Sequence, residues 1–135
     1  LDKCNGYPLL LQVSYGNGVF YILTIPDNFS DLYHLPQETI TQIKQVLMKD
    51  IPVHVESLSK VCLFTYSNDI FIVESFLPHS TRCNIVINEK GVKLQDLTPT
   101  REMPFHRETS SFERGDSTVF QTFLQPNSYN VYRFE

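Results

Sequence analysis

The sequence predicts a mainly β chain, α+β overall: an antiparallel β-sandwich preceded by a β-hairpin and one α-helix. Three observations carry this. Short β-branched and aromatic runs recur at regular spacing from Val55 onward, with turn residues between them. Tyr15-Gly16-Asn17-Gly18 stands between two apolar runs near the start, a short-range hairpin signal. Only the stretch from Pro36 to Lys49 repeats apolar residues at helical spacing.

The first hairpin joins Pro8–Ser14 to Val19–Ile25. Asn17-Gly18 is expected to turn the chain, because both positions tolerate positive φ. Leu9, Leu11 and Val13 are assigned to one face and Leu10, Phe20 and Ile22 to the other. Both faces then need cover, from the helix on one side and from the sandwich or a second copy on the other. The helix stripe is Ile40, Ile43 and Leu47, widened by Val46. Pro36 suits a first turn, Glu38 the positive end, and Lys44 and Lys49 the negative end. On this reading Leu47 is buried, and an aspartate there would cost several kcal/mol, on the order of a buried unpaired charge.

The chain divides near Ile51-Pro52, into a hairpin-plus-helix remnant of an α/β domain (residues 1–52) and the sandwich (residues 53–135). In the second part Val55–Tyr66 and Ile70–Leu77 flank a tight turn at Ser67-Asn68-Asp69. Thr81 to Asn88 alternates, with Cys83, Ile85 and Ile87 facing in and Arg82, Asn84 and Asn88 facing out. Glu89-Lys90-Gly91 turns into Val92–Leu97. The polar stretch Thr98–Ser117 reads as a loop anchored by Met103, Phe105 and Phe112. Thr118–Leu124 and Ser128–Phe134 form a closing pair around Gln125-Pro126-Asn127.

Composition narrows the function. A chain of 135 residues needs no disulfide or metal staple to hold a core. Ten Phe and seven Tyr argue against disorder. No apolar run approaches the ~20 residues of a membrane span. A pI near 5.5 without a basic stripe counts against nucleic acid as a partner. The chain begins Leu1-Asp2-Lys3-Cys4, which reads as a piece of a longer polypeptide whose compartment is unknown.

Candidate chemistry is thin. Cys62 and Cys83 read as reduced, buried strand residues. His34, His54, His79 and His106 lack metal-ligand spacing, so no metal or cofactor is expected. Asp27 and Asp31 read as turn residues ahead of a helix, and Glu74 as a carboxylate on a partly open face or paired with Arg82. Asn28-Phe29-Ser30 fits a glycosylation sequon. Tyr7, Tyr15, Tyr66 and Tyr129 are the aromatic faces available to a sugar ring. No catalytic, cofactor-binding or metal residue is assigned.

Two stretches resemble a known family. Gly6–Ile22, with its Pro8…Tyr15-Gly16-x-Gly18…Tyr21 spacing before a final helix, is similar to the end of the glutamine-amidotransferase-like domain of β-galactosidase-type glycoside hydrolases. Val119–Phe134, with Leu124-x-Pro126…Val131-Tyr132, resembles the last hairpin of their small C-terminal sandwich. The resemblance implies a non-catalytic accessory module of a carbohydrate-active protein, packed against the upstream domains of its parent chain. The family's catalytic carboxylates would lie in an upstream barrel. An independent carbohydrate-binding module and a small stand-alone enzyme are the alternatives, and a homo-oligomer is a further candidate assembly.

Overall fold

The computed structural model describes residues 8–25, 27–99 and 109–135 and divides the chain into two compact units, Leu1–Leu35 and Pro36–Glu135.

In the first unit β1 (Leu10–Tyr15) pairs antiparallel with β2 (Gly18–Leu23). The turn falls one residue earlier than expected, on Gly16-Asn17. Only Gly16 takes a positive φ, +57°. The register sets Leu11 opposite Ile22 and Val13 opposite Phe20. Directly opposed residues share a face, so these four lie together, whereas the sequence reading had divided them between two faces. All four are exposed. A 3₁₀ segment follows at Phe29–His34, its entry capped by the Asn28 side chain, which accepts a hydrogen bond from the Ser30 N–H.

The second unit opens with α1 (Gln37–Leu47). Pro36 stands at its N-cap, Glu38 in the first turn and Lys44 in the last. The helix touches β3 (Val53–Glu56), and its Lys44 Nζ donates to the Val61 carbonyl on β4 (Val61–Thr65) at 3.3 Å. It thus reaches the edge strands of both sheets of the sandwich. Ile40, Ile43 and Val46 are half-buried, but Leu47 is 73% exposed, so the inward stripe stops short of it.

The sandwich is two four-stranded antiparallel sheets. Besides β3 and β4 their strands are β5 (Ile70–Ser75), β6 (Thr81–Ile87), β7 (Leu94–Asp96), β8 (Ser110–Arg114), β9 (Ser117–Leu124) and β10 (Ser128–Phe134). The first sheet has the order β3-β6-β9-β8 and the second β4-β5-β10-β7. Val53, Val55, Cys83, Ile85, Ile87, Phe120 and Leu124 line the inner face of the first sheet. Val61, Phe71, Val73 and Tyr132 face them from the second. The inward set Cys83, Ile85 and Ile87 is the one the alternation predicts.

Several strands depart from the expected arrangement. Val55–Tyr66 is two strands: the chain leaves one sheet at Glu56 and enters the other at Val61, with Lys60 at φ +66°. Ser57-Leu58-Ser59-Lys60 breaks the alternation and forms a corner between sheets. Thr98–Ser117 contains β8, which pairs with β9 around Gly115-Asp116. Phe112 is exposed, so it is no anchor, while Met103 and Phe105 lie outside the described residues. β9 and β10 are not a hairpin. Each joins a different sheet.

Leu47→Asp is therefore expected to cost no more than about 1 kcal/mol, from a negative charge at the negative end of α1 and not from a buried charge. Phe71→Ala, at a core position, should cost about 3–5 kcal/mol. Denaturant midpoints of the two variants check the contrast.

Candidate functional site

The residues that carried candidate chemistry are dispersed. Asn28 Nδ2 donates to Asp31 Oδ1 at 3.2 Å, and Ser30 Oγ donates to Asn28 Oδ1 at 2.8 Å, so Asp31 serves loop geometry. Asp27, His34 and His79 are exposed, His54 is half-buried on β3, and His106 lies outside the described residues. Among the described residues, no three His, Cys, Asp or Glu side chains gather as metal ligands. Glu74 is half-buried on β5, opposite Cys62 and Tyr129. Its expected partner Arg82 belongs to the other sheet and lies over the Phe123 ring at 5.4 Å.

The cysteines part company. Cys83 is fully buried, and burial pushes its thiol up to about 12. Cys62 is exposed, against expectation. The reason is strand register: Val61 and Leu63 turn toward the core, which leaves Cys62 on the outer face.

Sequence reading missed a polar cluster on the outer face of the β3-β6-β9-β8 sheet. Glu56 on β3 receives two hydrogen bonds from Arg114 on β8, at 2.6 and 3.2 Å, and one from Asn84 Nδ2 at 3.3 Å. The pair joins the two edge strands across β6 and β9, over the face where Val86 and Val119 are buried. Burial alone would raise the Glu56 pKa, but the Arg114 and Asn84 hydrogen bonds and the nearby positive charge outweigh it and hold it below its ordinary value. His54 beside it is lowered by burial, against the pull of Glu56. A carboxylate bound in this way is poorly placed to shuttle protons. The alternating pattern of β3 shows Glu56 facing outward, but nothing local pairs it with a residue 58 positions later.

The outer face of the β4-β5-β10-β7 sheet is different in kind. Phe64, Tyr66 and Tyr129 project from it, with Phe76 just past β5, at 43%, 59%, 50% and 51% exposure. Ile70, Ile72 and Val131 are half-buried among them. Two of the tyrosines considered for sugar contact, Tyr66 and Tyr129, therefore share one face. Tyr15 is on the separate hairpin, and Tyr7 is outside the described residues. A shallow cavity of about 190 Å³ opens between Asp50, Pro52, Thr65, Tyr66, Asp69 and Phe134.

A family model described as "Probable glycosyl hydrolase, C-terminal domain" matches residues 52–134. The chain belongs to this family. The match coincides with the sandwich, which runs from Val53 in β3 to Phe134 in β10. A glycosyl hydrolase C-terminal domain implies further domains ahead of it in the parent protein. No curated protein and no solved structure matches the chain.

Two outcomes test the geometry. In the native state Cys62 should react with a thiol reagent well before Cys83, which should react only after denaturation. Glu56→Gln should cost about 1–2 kcal/mol at neutral pH, because charge-assisted hydrogen bonds to a half-exposed arginine are lost. The folded-state pKa of Glu56 is depressed, so its contribution is present above the unfolded value and lost as pH falls through the folded value. Urea titrations on acidification should thus show a shallower loss of stability in the variant than in the wild type.

Proposed function

We propose that the chain is a non-catalytic accessory β-sandwich of a carbohydrate-active, glycoside hydrolase-like protein, and that it packs against neighbouring domains of the assembled molecule. One observation carries this: the outer face of the β4-β5-β10-β7 sheet exposes four aromatic side chains around Ile70, Ile72 and Val131. Antiparallel strands with one solvated face ordinarily alternate apolar and polar residues. In β5 the outward positions Ile70 and Ile72 are as apolar as the inward Phe71 and Val73. Such a strand belongs in the middle of a layered assembly, and a patch of this kind marks an interaction surface.

The same face is a poor sugar platform. Its centre, Ile70, Ile72 and Val131, is aliphatic and offers a pyranose ring no hydrogen-bond partner, and the charged Glu74 and Arg133 stand only toward its ends. In this reading the hairpin before Pro36 belongs to the α/β layer that precedes the module in the parent chain.

The purified chain should hydrolyse no aryl glycoside above the buffer rate. Turnover abolished by Glu74→Gln or Asp31→Asn would overturn the accessory reading.

A further inference from the structure

The apolar outer face carries a pattern of charge that specifies its occupant. In register, Ile72 on β5 stands opposite Val131 on β10, at the middle of the face. Glu74 lies two residues along β5 in one direction, opposite Tyr129. Arg133 lies two residues along β10, in the row of Ile70, on the other side of the central pair. The carboxylate and the guanidinium are therefore placed symmetrically about the Ile72–Val131 midpoint, on adjacent strands and on opposite sides. Among the described residues neither side chain has an ion-pair partner in its own chain, and Arg133 Nε is buried with no hydrogen-bond acceptor.

A face of this kind is complementary to itself. In a two-fold dimer each surface position meets its image reflected across an in-plane axis. Strand spacing and rise put the two Cα atoms roughly 14 Å apart, along a line inclined roughly 20° to the strands. An axis perpendicular to that line sets Glu74 of one copy over Arg133 of the other, twice, and crosses the two sets of strands at roughly 40°. That is close to the ~30° at which sheets pack face to face. Between the two ion pairs, Phe64, Ile72 and Val131 of each copy would meet and leave water.

We propose that the neighbour on this face is a second copy of the same module, docked sheet to sheet about a two-fold axis with reciprocal Glu74–Arg133 pairs. The proposal rests on the accessory reading only in treating this face as a docking surface.

Charge reversal tests it, with sedimentation equilibrium of the full 135-residue chain as the readout. The wild type should be dimeric at micromolar concentration. E74R and R133E should each be monomeric, because two like-charge pairs replace two opposite pairs. The double variant E74R/R133E should dimerise again. An equimolar mixture of the two single variants should form a heterodimer, since arginines on one copy then face glutamates on the other. Melting curves establish that each variant folds. If E74R does not fold, R133E and the double variant carry the same comparison. Cys62, beside Glu74 on this face, should be labelled more slowly in the dimer than in R133E. A monomeric wild type overturns the proposal. So does a dimer indifferent to either reversal, or single variants that the double reversal does not rescue. None of these outcomes bears on the glycoside assay, so failure of self-pairing and failure of the accessory reading are separately visible.

Discussion

The second unit depends on two sheets each burying one face against the other. Val73, Cys83, Ile85, Ile87 and Leu124 lose all contact with solvent there. That closure is not made of local hairpins. Of the connections from β3 to β10, only β4–β5 and β8–β9 stay within one sheet, and every other one crosses the sandwich. A strand and its successor therefore usually contribute to opposite sides of the same core. No sheet can be completed without threading the other, which makes the pairing non-local and the unit cooperative.

Polar groups reinforce this arrangement. Inside, Asn130 Nδ2 donates to the Tyr132 hydroxyl at 3.0 Å, and that hydroxyl approaches Thr122 Oγ1 of the opposite sheet at 3.5 Å. All three residues are fully buried, so the hydrogen bonds compensate for desolvation that would otherwise be costly. At one end, Gly91 N–H and Thr118 Oγ1 both donate to Glu113 Oε1, and Thr118 also contacts the Glu89 carbonyl. These contacts fasten the 89–91 turn to the β8–β9 hairpin. Gly91 takes φ +69° there, a conformation that costs glycine little.

The two outer faces divide the labour. One is crossed by the Glu56–Arg114 pair and presents charge to water. The other is apolar with isolated charges near its ends. Where a module has one solvated face and one apolar face, the apolar face is where association gains most from water release.

The sequence by itself determined the elements whose signals are local. Period-two alternation set Cys83, Ile85 and Ile87 inward, helical spacing and Pro36 located α1, and Ser67-Asn68-Asp69 marked the turn where Asn68 and Asp69 take positive φ. Only the tertiary structure decided which sheet each strand joins. Alternation distinguishes the two faces of a strand but does not identify the strand that lies beside it. For the same reason β8 was hidden: Ser110–Arg114 is polar apart from Phe112, and it forms a strand because β9 offers an edge to pair with. Cys62, set in an apolar run, reads as buried until register places it outside. Glu56 and Arg114 meet only because four strands stack in the order β3-β6-β9-β8 and bring opposite edges within reach of two long side chains.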